Sequence, residues 1–426
     1  MKLNADIVEI THKDIDLLYC DLISGNSVAL FGAPGIGKSW ILLNDVAEML
    51  SKYTKRKLVA WETLTHEERL EVLQNLDKYF ITFDIRLTQY TFDEVKGVLD
   101  IRSSWIEDLE RITSVPVVTW RLPMWLAPVL KKDFAGLIVF DDAPNAHPST
   151  MISAYRYVLK KEHELGKFSV ETFVALTGNE MHHKTFANAL PTAMVSRLAI
   201  YRLQPPSAEF WIENFALKHK IHPYVIGYFS NPENADKFYR FEPQKLAPNQ
   251  PYPCPRSWHL VSNALYKAEE VLKPRYDEET YLLKLETLVA SKVGIGIARE
   301  FVAWLKLHKH IPRIQDIFRN PSILKLSDRA DINYLIVSGI TNYWRQLSEE
   351  KKNNLFINLL EIFGRFADAP EFLTLLVVLI KSVDPYFIQR YVNARASGKV
   401  PKKIRDLLRR YTREYIDWEL TPDSSS

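Results

Sequence analysis

Cysteine is nearly absent. Cys20 and Cys254 are the only two in 426 residues, so the chain has neither a disulfide framework nor a four-thiolate metal site. Charge of one sign is also lacking. Fifty-five basic against 52 acidic residues leave a formal net charge of +3, too near neutral to imply a nucleic-acid partner by itself. No long apolar run occurs: Phe372 to Ile380, the longest, is far short of the roughly 20 residues that span a bilayer. The start, Met1-Lys2-Leu3-Asn4-Ala5-Asp6, has no apolar core and no cleavage signal. A soluble, cytoplasmic protein with no membrane partner is therefore expected. With 47% apolar and 25% charged residues, the composition is ordinary for globular proteins and excludes wholesale disorder. The length allows two or three domains.

Against these absences stands one stretch. Ser27-Val28-Ala29-Leu30-Phe31 reads as a buried strand, and Gly32-Ala33-Pro34-Gly35-Ile36-Gly37-Lys38-Ser39 fits G-x-x-x-x-G-K-[ST]. From Trp40 to Leu50, apolar residues fall at helical spacing. Strand, glycine loop and helix form the context of a phosphate-binding loop. The glycines let backbone N–H groups approach phosphates where a Cβ would clash, and the helix N-terminus adds partial positive charge. Lys38 is expected to reach the β- and γ-phosphates, and Ser39 to give its hydroxyl to Mg²⁺. The expected nucleotide-binding set is Gly32 through Ser39 together with Trp40.

Residues 1–26 read as a lead-in helix, with Ile15, Leu17, Leu18 and Leu22 on one side. A charged stretch follows, Lys52 to Asp77, in which Thr65-His66-Glu67-Glu68 fits a capping box. Tyr79 to Phe83 reads as a second core strand, and Val117 to Trp125, broken by Pro123, as a hairpin arm or clamped loop. Gly136 to Phe140 is a buried strand ending in Asp141 and Asp142. Downstream of a phosphate loop, the first carboxylate is expected to hold Mg²⁺ and the second to polarise the attacking water. Met151 to Leu165 reads as helix. Phe173 to Gly178 is a further buried strand that ends at Asn179, an amide suited to orienting the water if the sheet is parallel. This alternation predicts a parallel sheet with helices on both faces up to about Arg202. Pro205-Pro206-Ser207 ends the pattern, with Ser207 capping a helix. The rest is helical, interrupted by the Pro-rich passage from Pro243 to Pro255.

With these anchors the chain resembles the MoxR branch of the AAA+ ATPases, and is most similar to phage and prokaryotic members often paired with von Willebrand A-type proteins. The resemblance runs from about residue 10 to about 320. Besides the phosphate loop it rests on Asp84 to Gly97, on Trp120 to Pro128, and on Asp141-Asp142-Ala143-Pro144-Asn145-Ala146-His147-Pro148. It continues through Gly166-Lys167-Phe168-Ser169, Leu190-Pro191-Thr192-Ala193-Met194-Val195-Ser196-Arg197-Leu198 and Pro255-Arg256-Ser257-Trp258, all in the family's order. It implies that Asn179 is the first sensor and Arg197 an arginine finger reaching a neighbouring subunit's site. Arg256, on a helical lid, is then the second sensor. The planar, always-charged guanidinium suits both roles. One departure stands out: Asp142 occupies a position where most AAA+ members carry Glu. The side chain is one methylene shorter, which predicts slow turnover.

Other signals are discounted. His182-His183 and His308-Lys309-His310 have no Cys or carboxylate at ligand spacing. Gly294-Ile295-Gly296 lacks a third glycine and follows no strand. The basic run Lys399, Lys402, Lys403, Arg405, Arg409, Arg410 and Arg413, with Tyr411, Tyr415 and Trp418, reads as a solvated helix face before it reads as a nucleic-acid surface.

The expected architecture is an AAA+ α/β core with a parallel sheet (1–203, with inserts at about 52–77 and 98–130), a helical lid (204–345) and a C-terminal helical domain (346–426). The expected activity is ATP hydrolysis with Mg²⁺ by an oligomeric ring, hexameric by resemblance, that remodels or activates a protein partner. Two alternatives stay open: a DNA-handling motor or loader, and an ATP-switched scaffold with little turnover.

Overall fold

The computed structural model describes residues 7–100, 111–112, 119–179, 189–307 and 314–412. The chain divides into two compact units: Met1–Pro206 with Phe241–Ala247, and Ser207–Arg240 with Pro248–Ser426.

In the first unit, the described residues form eleven strands, numbered in chain order. They are β1 (Val8–Ile10), β2 (Ser27–Phe31), β3 (Lys57–Ala60), β4 (Tyr79–Arg86), β5 (Val98–Asp100), β6 (Thr119–Arg121), β7 (Ala135–Asp141), β8 (Glu162–His163), β9 (Gly166–Lys167), β10 (Glu171–Gly178) and β11 (Leu198–Leu203). Seven form the central sheet in the order β1-β11-β2-β10-β7-β4-β3, and every neighbouring pair is parallel. The expected α/β core with a parallel sheet, followed by a helical C-terminal region, is what the structure has. β2 and β7 are buried at every position, which is why both read as unbroken apolar runs. Gly136 permits close approach of β7 to β4: a Cβ there would lie 2.3 Å from the Ile81 carbonyl oxygen.

Three strands depart from the sequence reading. Glu162–His163 lies in the stretch Met151 to Leu165 expected to be helix; the helix ends at Lys160, where Lys161 turns left-handed, and the two residues pair with Gly166–Lys167. Val8–Ile10 lies in the segment expected to be a lead-in helix, yet it pairs with β11, and the helix occupies only Ile15–Ile23. Three residues are too few to show alternation, so only the pairing partner reveals the strand. Lys57–Ala60 lies within the stretch read as a charged insert and forms the sheet edge beside β4. A short edge strand flanked by Lys and Arg is how sheets blunt their open edges, and it hides the strand from a search for apolar runs. The Thr65 capping box forms as expected, with Thr65 and Glu68 exchanging bonds. β5 and β6 pair antiparallel as a hairpin arm.

All regular elements of the second unit are helical among the described residues. Ser207, Asp277 and Ser348 cap helices through their side chains. Two apolar clusters fill the unit. One gathers Trp258, Tyr228 and Phe301 from helices between Ala208 and Leu307, and the other gathers Trp344, Phe363 and Leu376 from Ile314 onward. The second is pinned by a buried polar contact, the Trp344 indole N–H donating to Asp384 at 2.9 Å. No helix among the described residues is long and apolar enough to cross a membrane.

Candidate phosphate-binding site

The loop that follows β2 owes its shape to glycine at specific positions. Gly32 has φ 154°, and a Cβ on it would sit 2.7 Å from the Leu203 carbonyl oxygen at the end of β11. Gly37 is left-handed, at φ 101°, and starts the helix at Lys38. That helix runs from Lys38–Trp40 through a π-helical stretch, Ile41–Val46, into Ala47–Thr54. Its first turn leaves backbone N–H groups without helical acceptors, the usual basis of an anion site.

Lys38 is almost fully buried. Its ammonium donates to the Gly32 and Ala33 carbonyls at 3.0 and 2.9 Å and to Asn179 Oδ1 at 3.0 Å. The Ser39 hydroxyl donates to Asp141 Oδ1 at 2.7 Å, and the Thr177 hydroxyl donates to the same oxygen. The topology explains the convergence. β10 lies between β2 and β7, and its Leu176 pairs with Phe140, so Thr177 and Asn179 emerge beside Asp141 and face the loop. Gly32 through Ser39, Asp141 and Asn179 are thus brought together.

Asp142 is half-buried and left-handed, at φ 52° and ψ 32°, and opens the turn Ala143–Asn145. Asp tolerates this conformation better than most side chains. The turn carries Pro144 onto the end of β10, where a Cβ on Gly178 would lie 2.3 Å from Pro144 Cδ. Glycine at 178 therefore permits the carboxylate strand and the Asn179 strand to end side by side.

The structure also gathers residues to which the sequence assigned no role. Asp84 and Arg86 lie near the end of β4, with Arg86 in register with Asp141. Arg86 Nε is 3.3 Å from Asp84 and 4.0 Å from Asp141. Burial, then the nearby Asp141, pushes the Asp84 carboxyl above its ordinary pKa, opposed by Arg86. Glu62 accepts the Asp84 backbone N–H at 2.8 Å, and burial raises its pKa too. On the other side of the loop, His12 Nε2 lies 2.9 Å from the Ile36 carbonyl. A carbonyl only accepts, so that nitrogen carries the hydrogen, and burial holds the imidazole below its ordinary pKa. Thr177 was legible at most as a polar residue inside an apolar strand; His12 left no signal.

Three further expected site residues are exposed. Trp40 is exposed, one residue beyond Ser39. Arg197 is exposed in the turn before β11, its guanidinium held by the Ala193 carbonyl at 3.0 Å. Arg256 belongs to the second unit, exposed in the first turn of the helix Pro255–Val271. Among the described residues, no group of three or more His, Cys, Asp or Glu is arranged to hold a metal ion; the two histidine pairs discounted above lie outside those residues.

No family profile matches the chain, and no curated protein does. Among solved structures, it is similar to C. elegans PCH-2, at 12% identity over 69% of this chain and 68% of that one, with a TM-score of 0.27. A putative ATPase from Cytophaga hutchinsonii matches at 12% identity over 93% and 88%, TM-score 0.29. Drosophila ORC bound to DNA matches at 11% over 96% and 79%, TM-score 0.25. Likeness this slight carries no function across.

Proposed function

We propose that this chain is an AAA+ ATPase that hydrolyses ATP with Mg²⁺ in a ring, six-fold by resemblance, and uses the cycle to remodel or activate a protein partner. The observation that carries the reading is the convergence of Lys38, Ser39, Asp141 and Asn179 at the end of a parallel sheet. The order of sequence motifs supports the MoxR branch and a von Willebrand A-type partner.

The residues present fit Mg-ATP. A glycine loop that admits no Cβ at position 32 precedes a helix N-terminus, and a hydroxyl and a carboxylate stand 2.7 Å apart, the hard oxygen donors that Mg²⁺ prefers. Bound there, Mg²⁺ neutralises charge that builds on the phosphate oxygens. Gly32 to Ser39, with Trp40 alongside, cradle the phosphates, and Lys38 exchanges loop carbonyls for phosphate oxygens. Ser39 and Asp141 hold the metal, with Thr177 orienting the carboxylate. Asn179 positions the water, and Asp142 takes its proton. Arg197, exposed on its own subunit, serves the site next door, and Arg256 reports the γ-phosphate.

The test is phosphate release per subunit at saturating Mg-ATP as protein concentration rises, with Lys38→Ala as the control that fails to bind nucleotide. Specific activity that climbs and then levels off is expected of sites completed between subunits. A flat, nonzero rate would contradict the role of Arg197. Absence of release at every concentration, with ATP bound, would make the chain a switch rather than a hydrolase.

A further inference from the structure

Between Phe387 and Thr412 the chain carries eight cationic residues and a single acidic one, Asp406. This segment is net +7 where the whole chain is +3, so everything outside it sums to −4. Two helices present the charge, Phe387–Ala396 and Lys402–Thr412. One cation is used internally: Arg390 pairs with Glu349 and lies 3.5 Å from Asp384. The others face outward, with Lys399, Lys402, Lys403, Arg409 and Arg410 exposed and Arg395 and Arg405 half-buried.

Helical spacing sets Lys402, Arg405 and Arg409 on one stripe, away from Ile404 and Leu408, which are buried in the core. Arg395 extends the stripe from the neighbouring helix. Arg395, Arg405 and Arg409 all lie close enough to the buried Tyr391 hydroxyl to oppose the rise that burial gives its pKa. None of these three enters an ion pair among the described residues, and Arg405 Nε is buried without an acceptor. Asp406 shares this face by helical spacing, but one carboxylate against Lys402, Arg395, Arg405 and Arg409 leaves the stripe strongly positive, and a bound polyanion would neutralise it.

We propose that this stripe binds the sugar–phosphate backbone of a nucleic acid without regard to sequence. Arginine predominates, and its planar fork matches phosphate oxygens. Lys402 to Arg409 covers about 10 Å of helix, enough to meet two or three successive phosphates. A lipid surface fits less well, because the apolar residues of this helix are spent on the core and leave no face to insert. The surface does not depend on the ATPase reading.

The test is fluorescence anisotropy of the full chain with a labelled duplex and a single strand of about 30 nucleotides, with and without ATP, across a salt series. Binding that weakens steeply with salt is expected. Arg395→Gln/Arg405→Gln/Arg409→Gln should weaken it at least ~10-fold and flatten the salt slope by about one for each phosphate no longer neutralised. Because Arg405 also packs through its stem, Lys402→Gln/Arg409→Gln, at exposed positions, should show a smaller loss in the same direction with melting unchanged. No binding at low salt, binding indifferent to both variants, or binding to anionic vesicles or an acidic protein but not to nucleic acid would each overturn the proposal.

Discussion

At the scale of single residues, the site sets a positive end against a negative one. Lys38 sits among carbonyls, and beyond β10, at the ends of β7 and β4, Asp84, Asp141 and Asp142 lie near one another with Arg86 as the adjacent cation. Burial, together with that crowding, has a measurable sign. The folded protein holds the Asp84 proton more tightly than the unfolded chain does. Stability is therefore lost as pH rises from the ordinary carboxylate range through the raised pKa, and above that window the ionised group costs its full amount. Asp84→Asn should raise Tm in Mg²⁺-free buffer at pH 7, and the gain should fade as pH falls through the raised pKa, to be gone by about 3.9. A lower Tm at pH 7 would show that the pairing with Arg86 outweighs burial and repulsion. None of this was legible beforehand. Asp84 and Arg86 stood out only by resemblance, because a sequence does not say which strand will lie beside the carboxylate strand.

At the scale of elements, the central strands were legible and the edges were not. β2, β7 and β10 are enclosed, so their apolar runs survive in any reading of the chain. β1 and β3 are short and lie at the two edges, where sequence constraint is weak and tertiary pairing decides. The turn after β7 is a middle case: its residues were noticed, but the packing that shapes it, Pro144 over Gly178, joins two strand ends distant in sequence. Adding a methyl there should cost about 1–3 kcal/mol, read as a lower denaturant midpoint for Gly178→Ala. Gly296→Ala is the matched comparison. It lies in the helix Ile295–Leu307 with nothing within 4 Å of the added carbon, and should be neutral or stabilising by up to about 1 kcal/mol. Equal losses at both positions would remove the packing explanation.

At the scale of the whole molecule, the question is whether one chain is enough. Arg197 is held by a backbone carbonyl at 3.0 Å, while Lys38 bonds to Asn179 and Ser39 to Asp141. On the proposed reading, this exposed arginine on the turn before β11 serves a phosphate held by another copy. Two inactive variants separate the possibilities. Asp142→Asn keeps its arginine and loses its base; Arg197→Ala keeps its base and loses its arginine. If the arginine acts across an interface, mixing them equally puts an intact base beside an intact arginine at about one interface in four. Roughly a quarter of wild-type phosphate release should then return, although each variant alone releases none. If both groups must belong to the same subunit, every mixed assembly still lacks one of them at each site, and mixing restores nothing.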